Sequence, residues 1–390
     1  MLRSKRVAGV SPYVFSAINR RKQELADAGM DVIDLGIGAP DVPTPPHIVR
    51  KVTEELQDPR NFQYSPYQGC AEFREAVAAY YRREYQVDLN PETEILTLIG
   101  SKEGIGHFFP AVLNPGDTVL VPDPGYPPYE TAAQLAGVET IRIPLQKEKQ
   151  FVLDVADITE SDAKTAKALI VNYPANPTGA TVGIDFFEKA AAFAEKYDLL
   201  LIHDAAYQQV VFDGYRAPSV LEANTDRARL LEFGSLSKSY SMAGWRIAWA
   251  AGSAEALASL AIVKSNLDTS QFLPIQKAAA LALTGDQSCV KTYNQLLEKR
   301  MIVMQEALTR VGIRVNKTRG SLFLWSNVPP GWDSGSFTEA LLEQKGVIVT
   351  PGKAFGKTGE AFFRVSLTVE EKRLQEAATR IGAFLQEHRE

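Results

Sequence analysis

Leu199-Leu200-Leu201-Ile202-His203-Asp204-Ala205-Ala206-Tyr207 and, further along, Leu230-Leu231-Glu232-Phe233-Gly234-Ser235-Leu236-Ser237-Lys238 repeat one pattern. In each, a short, mainly apolar run stops abruptly at small and polar residues. Runs of four to six residues without polar alternation predict strands covered on both faces, the signature of a mostly parallel sheet. Working outward, similar runs at 95–99, 118–121 and 168–171 precede helical stretches at 101–113, up to 136, and 184–197. Strand, loop and helix in repetition predict an α/β fold with helices on both sides of the sheet.

The pattern changes after about residue 285. A long amphipathic helix over 290–311 leads to short strands at 321–325 and 362–367, then a final helix over 369–388. Before the sheet region, Ser11-Pro12 signals a helix around 15–28. A short strand at 31–38, a proline-rich stretch from Pro43 to Pro46 and a helix over 71–83 follow. The expected organisation is an N-terminal arm with part of a small domain (1–45), a large domain (46–285) and a small α+β domain (286–390). A chain of 390 residues exceeds one ordinary core, consistent with about two domains.

Hydrophobic residues at 45% and charged residues at 23% are an ordinary globular balance. A formal charge of -5 gives no electrostatic footprint for nucleic acid. Two cysteines exclude a disulfide framework and point to a reducing cytoplasm. Cys70 and Cys289 are expected to be structural. The charged N-terminus offers no apolar signal region, and no apolar run reaches the length of a membrane span. Asn316-Lys317-Thr318 is then a chance sequon.

In parallel α/β sheets, ligand groups collect just beyond the carboxyl ends of the strands. Those positions hold Ser101-Lys102, Tyr126, Asn176, Asp204 with Tyr207, and Ser235-Leu236-Ser237-Lys238. Five strand ends each offer a polar group.

Asn176-Pro177-Thr178-Gly179, Asp204-Ala205-Ala206-Tyr207, and Ser235-x-Ser237-Lys238 followed eight residues on by Arg246 resemble the fold-type I, pyridoxal-phosphate-dependent aminotransferases of class I/II. The resemblance runs from Gly36-Ile37-Gly38-Ala39-Pro40-Asp41 to Arg364. Gly100-Ser101-Lys102-Glu103-Gly104 and Pro122-Asp123-Pro124-Gly125-Tyr126-Pro127 look most like the LL-diaminopimelate and alanine aminotransferase group. It implies a seven-stranded-type sheet, pyridoxal 5'-phosphate as cofactor, and a homodimer with shared active sites.

The roles follow from what that cofactor needs. Lys238 is expected to condense with the aldehyde and later to move the Cα proton. Asp204 would keep the ring nitrogen protonated, since a paired charge favours that form. Tyr207 and Asn176 would hydrogen-bond the ring oxygen, and Tyr126 would stack on the ring face. The phosphate calls for backbone donors at a helix N-terminus and a cation: Ser101 and Lys102 open the helix, with Ser235, Ser237 and Arg246 beside them. By resemblance alone, Tyr64 reaches the phosphate of the neighbouring subunit. Arg364 would take the substrate carboxylate as a fork, and Ile37-Gly38 would lie over the substrate, with Asn176 also in contact.

Other signals were set aside. Gly352-Lys353-Ala354-Phe355-Gly356-Lys357-Thr358 has three residues between its glycines where a P-loop has four. Gly36-Ile37-Gly38 lacks the third glycine of a dinucleotide fingerprint. His47, His107, His203 and His388 show no metal-ligand spacing, so no metal is expected. Trp245 and Trp249 read as core.

The expected activity is a ping-pong transfer of an amino group from an amino acid, with LL-diaminopimelate favoured, to 2-oxoglutarate or another 2-oxo acid. Alanine, aspartate, methionine or aromatic donors remain alternatives. So do a β-lyase or decarboxylase on the same cofactor and a non-catalytic binding module. The full catalytic set and the lack of room for a helix-turn-helix weigh against the module. Side-chain specificity is expected from Lys102, Tyr126 and residues 264–276.

Overall fold

The computed structural model describes residues 2–10 and 14–388, so the helix signal at Ser11-Pro12 lies outside the described residues. After a helix over Val14–Asp27, the chain forms a two-residue strand β1 (Ile33–Asp34). The central sheet is built from β2 (Ile95–Leu98), β3 (Thr118–Asp123), β4 (Glu139–Pro144), β5 (Ala166–Val171), β6 (Leu200–Asp204), β7 (Leu230–Ser235) and β8 (Ala248–Gly252). Its seven strands run in the order β2-β8-β7-β6-β5-β3-β4. All neighbours pair parallel except β8, which is antiparallel to both β2 and β7.

β5, β6 and β7 are buried along nearly their whole length, as their apolar runs require. Alternate residues serve two cores. Leu169, Val171 and Leu201 pack with the helices Ala71–Tyr85 and Ile184–Tyr197 on one face. Ile170, Ile202 and Phe233 pack with the helix Ser101–Val112 on the other. That helix sits close because Gly104 has no side chain; a Cβ there would come within 2.4 Å of Leu98 Cδ1.

The C-terminal part holds β9 (Phe323–Asn327), β10 (Val347–Ile348), β11 (Thr350–Pro351) and β12 (Phe362–Ser366). β11, β12 and β9 form an antiparallel sheet with β12 in the middle, and β10 pairs in parallel with β1. The helices Ser288–Arg310, Ser334–Lys345 and Glu371–Glu387 cover these strands. Cores on the two sides interlock: Trp325, Phe355 and Phe362 join the large-sheet core, and Tyr207, Val210 and Phe212 join the C-terminal one.

β4 and β8 escaped sequence reading. β4 is an edge strand exposed at Glu139, Arg142 and Pro144, so it lacks the apolar run of a central strand. β8 is Ala-Trp-Ala-Ala-Gly, buried throughout but too small-residued to stand out beside Arg246.

Candidate active site

The carboxyl ends of β2, β3, β5, β6 and β7 open onto one cavity of about 150 Å³. Ser101, Lys102, Tyr126, Asn176, Asp204, Tyr207, Ser235, Ser237, Lys238 and Arg246 line it, together with Asn172, Ala206 and Ala243. Every cofactor-binding residue expected from sequence except Tyr64 is there. Tyr64 is exposed and away from this cavity.

Lys238 follows β7 through a turn in which Ser235 Oγ accepts the Ser237 N–H at 3.1 Å. Its Nζ donates to the Gly38 carbonyl at 2.6 Å and lies 5.9 Å from the Tyr207 ring centre. Burial, with the positive charges of Arg364 and Arg246 nearby, lowers the amine from its ordinary 10.5 to about 8. A lysine that sheds its proton near neutrality is a nucleophile and a base.

Asp204 ends β6, buried. Oδ2 accepts from the Tyr129 hydroxyl at 2.7 Å, and the Asp204 carbonyl accepts from Asn172 Nδ2 at 2.6 Å. Burial raises the carboxyl above the ordinary range, while Tyr129, His203 and Lys238 oppose that rise. Tyr126 packs edge-on against Tyr129, ring centres 5.5 Å apart.

The N-terminus of the helix Ser101–Val112 faces Arg246. Gly100, at φ +90, permits this: a Cβ there would stand 2.1 Å from Arg246 Nη2. Arg246 itself has φ +56, and its Nη1 donates to the Ala243 carbonyl at 2.8 Å. Exposed backbone N–H groups at a helix start, a guanidinium and the Ser235 and Ser237 hydroxyls make a cradle for a dianion. Burial, then the charge of Arg246, lowers the Lys102 amine. Lys102 also lines a neighbouring cleft of about 640 Å³ that reaches Arg6.

Arg364 is buried on the middle strand β12. Its Nη1 donates to Asn176 Oδ1 at 2.7 Å and its Nη2 to the Gly36 carbonyl at 2.6 Å. The guanidinium lies 3.9 Å from the Phe323 ring centre and 4.8 Å from that of Phe355. Gly38 makes close approach possible, since a Cβ there would meet the Phe323 ring at 2.3 Å. Ile37 is exposed beside it.

Sequence reading missed Tyr129 and Asn172, and met Gly100 only as part of a motif, without its role at the helix start. Asn172 directly follows β5, and its Oδ1 accepts the Asn176 N–H at 2.7 Å. The rule that polar residues at strand ends carry function would have found it. Tyr129 lies inside the helix Pro128–Ala136, where an aromatic reads as packing.

Of residues 264–276, Gln271 Nε2 donates to the Trp245 and Arg246 carbonyls, each at 2.8 Å. Lys264, fully buried, reaches Glu103 at 3.4 Å and Asp268 at 2.6 Å. His107 joins the same group, with Nδ1 2.7 Å from Glu103, so the buried ammonium already answers the carboxylates.

Pyridoxal phosphate fits what the residues offer: a lysine with a lowered pKa, a buried carboxylate and an anion cradle that Gly100 keeps open. These residues could hold that cofactor as a fold-type I transferase requires. The chain belongs to the family of class I and II aminotransferases, whose pattern matches residues 30–381. It is 44% identical to the LL-diaminopimelate aminotransferase of Syntrophobacter fumaroxidans over 380 residues, 97% of this chain and 98% of that one. Identity to the enzyme of the same name from Moorella thermoacetica is 42% over 385 residues, 99% of each. The solved structure of substrate-bound BacF from Bacillus subtilis superposes with a TM-score of 0.95 at 34% identity, covering 98% of each chain. The protein is a pyridoxal-phosphate-dependent aminotransferase.

Proposed function

We propose that this enzyme transfers the amino group of LL-diaminopimelate to 2-oxoglutarate, with Lys238 as the lysine that carries the cofactor. The observation that carries the mechanism is the convergence of the Lys238 amine, the Asp204 carboxylate and the Arg246 cradle on one cavity. The donor rests on near-full-length identity to curated enzymes of that name. Lys102, on the border between the cavity and the adjoining cleft, offers a cation for a distal carboxylate.

When bound, pyridoxal phosphate supplies a carbonyl that condenses with amines and a ring that draws electrons from Cα. The helix start at Ser101 and Lys102, with Ser235, Ser237 and Arg246, would hold its phosphate. Asp204, fixed by Tyr129, would pair with its ring nitrogen; Tyr207 and Asn176 would donate to its ring oxygen, beneath Tyr126. Arg364 orients the substrate by its carboxylate, with Ile37-Gly38 over it. Lys238, once free, takes the Cα proton and gives it back on the other side of the transfer. Donor and acceptor use this site in turn, which gives ping-pong kinetics.

The proposal includes a cytoplasmic homodimer with the domain division 1–45, 46–285 and 286–390. Exposed aromatic and aliphatic residues gather in two segments, Phe62, Tyr64 and Tyr67 in one and Ile262, Leu267 and Phe272 in the other. They meet where Phe62 stacks on Phe272 at 6.3 Å. A contiguous apolar surface of this kind suits a second copy, and would bring the exposed Tyr64 to a neighbouring phosphate.

The deciding experiment is a spectrophotometric panel of amino acids mixed with the holoenzyme. Rapid bleaching of the lysine-bound cofactor band by LL-diaminopimelate, dependent on no other donor, is expected. Conversion by alanine, aspartate or methionine instead would overturn the substrate and keep the mechanism. Lys238→Ala must abolish both band and turnover; full activity in that variant would overturn the lysine assignment.

A further inference from the structure

Directly behind Asp204 lies a fully buried ion pair that the transfer chemistry above does not use. His203 Nδ1 is 2.8 Å from Glu232 Oε2, and His203 Nε2 is 2.8 Å from the Tyr173 carbonyl. His203 and Glu232 are direct partners on the parallel strands β6 and β7, on the face opposite Asp204. A carbonyl oxygen only accepts, so Nε2 carries a proton.

The charge on Nδ1 is settled by Glu232. Oε1 accepts from the Tyr81 hydroxyl at 2.8 Å and from Gln208 Nε2 at 3.3 Å. Oε2 accepts from the Ser219 hydroxyl at 2.8 Å and the Val220 N–H at 3.0 Å. The Tyr81 hydroxyl already accepts from Trp249 Nε1 at 3.1 Å, which leaves its own proton for Glu232. With four donors aimed at its oxygens, Glu232 is a carboxylate, and Nδ1 must donate as well. A ring that donates through both nitrogens is an imidazolium.

The groups around the pair set no competing charge. The helix Ala71–Tyr85 brings Tyr80, Tyr81 and Tyr85, all pushed up by burial and neutral. The helix Ile184–Tyr197 brings the Phe187 ring, centred 4.7 Å from that of His203. Burial alone would raise Glu232, but the His203 hydrogen bond and charge, with Tyr81 and Ser219, hold it below the ordinary range. For Asp204, where burial raises the carboxyl, His203 supplies a positive charge that opposes the rise.

We propose that the His203–Glu232 ion pair is a positioning element of the active site, placing a fixed positive charge behind Asp204 and tying together three strand ends. The ends are those of β5, whose loop carries Tyr173 and Asn176; β6, which carries Asp204; and β7, which leads to Ser235 and Lys238. Buried charges cost free energy unless they are paired, and an apolar pair of equal volume would serve packing as well. Polarity here therefore acts on Asp204 and the loops. The inference rests on the assignment of Asp204 to the ring nitrogen.

The test uses the full-length holoenzyme and the pH at which the absorbance of its lysine-bound cofactor changes. A protonated ring nitrogen draws electrons from the bond to Lys238 and lowers that midpoint. His203→Gln and Glu232→Gln are each expected to raise it by about one pH unit and to lower kcat about tenfold, with little change in KM. A wild-type midpoint and kcat in either folded variant overturns the proposal. If either fails to fold, His203→Met with Glu232→Leu replaces the pair by apolar volume. A raised midpoint in that double variant supports the proposal, and an unchanged one overturns it. Asp204→Asn separates the two readings. If it raises the midpoint while His203→Gln does not, only the role of the pair fails. If Asp204→Asn leaves the midpoint unchanged, the assignment of Asp204 fails and takes the pair's role with it.

Discussion

Lys238 meets the Gly38 carbonyl, the Tyr207 ring and two arginines, and these surroundings fix its chemistry. An amine that loses its proton at about 8 is half free at that pH and becomes largely free only above it. Capture of pyridoxal phosphate by the apoprotein should accelerate with pH through that value, read as the growth of the cofactor band. A capture rate that stays flat within about one unit either side would contradict the lowered amine. The sign for stability follows from proton uptake. The unfolded chain holds this proton up to the ordinary 10.5, the folded chain only to about 8. Between those values the unfolded state binds more protons, so this group's contribution to stability rises with pH. Arg364→Lys keeps a charge but loses the planar fork. The KM for the amino donor should rise about tenfold with a smaller loss in kcat, measured under initial-rate conditions. Lys238 stood out in the chain because its neighbours carry a dense motif, whereas Arg364 was picked out through the resemblance. Tyr129 was not, since its value lies in a hydroxyl aimed at Asp204 from a helix 75 positions away.

At the scale of elements, the cradle depends on how the helix Ser101–Val112 begins. Gly100→Ala puts a Cβ 2.1 Å from Arg246 Nη2 and forces a side chain into a positive-φ, extended conformation that glycine alone adopts readily, at a cost of about 1–3 kcal/mol from the backbone alone. Cofactor affinity should fall about tenfold or more by fluorescence titration, with a lower melting temperature. An unchanged affinity would mean that Arg246 and the helix start do not act together. The buried strands β5, β6 and β7 could be read from sequence because both faces are covered, so apolar residues run on without a break. β4 was not legible, because an edge strand covered on one side shares its composition with loops. Nor was the antiparallel direction of β8, which depends on a connection through the turn at Arg246 and not on its own residues.

For the whole molecule, the site draws on segments from Gly36 to Arg364 that only the sheet topology brings together. The strand-end rule therefore recovered most of the cavity, whereas contacts between the large sheet and the C-terminal strands had no local signal. The apolar surface around Phe62 and Phe272 carries the remaining prediction. If the proposed homodimer forms through it, Phe272→Glu should yield monomers by sedimentation and lower activity with them. A monomeric wild type would remove the reason for Tyr64 to be exposed. Arg364 stands where the C-terminal sheet touches the large one, its guanidinium already held by Asn176 and the Gly36 carbonyl. In the proposed reaction a substrate carboxylate would join Asn176 and the Gly36 carbonyl on this one guanidinium, whose planar fork carries more N–H donors than those two contacts use. The arginine proposed to read the substrate is thus also a clasp between the C-terminal strands and the loops of the large sheet, so a change made there for specificity would be felt as a change in how the two parts of the chain hold together.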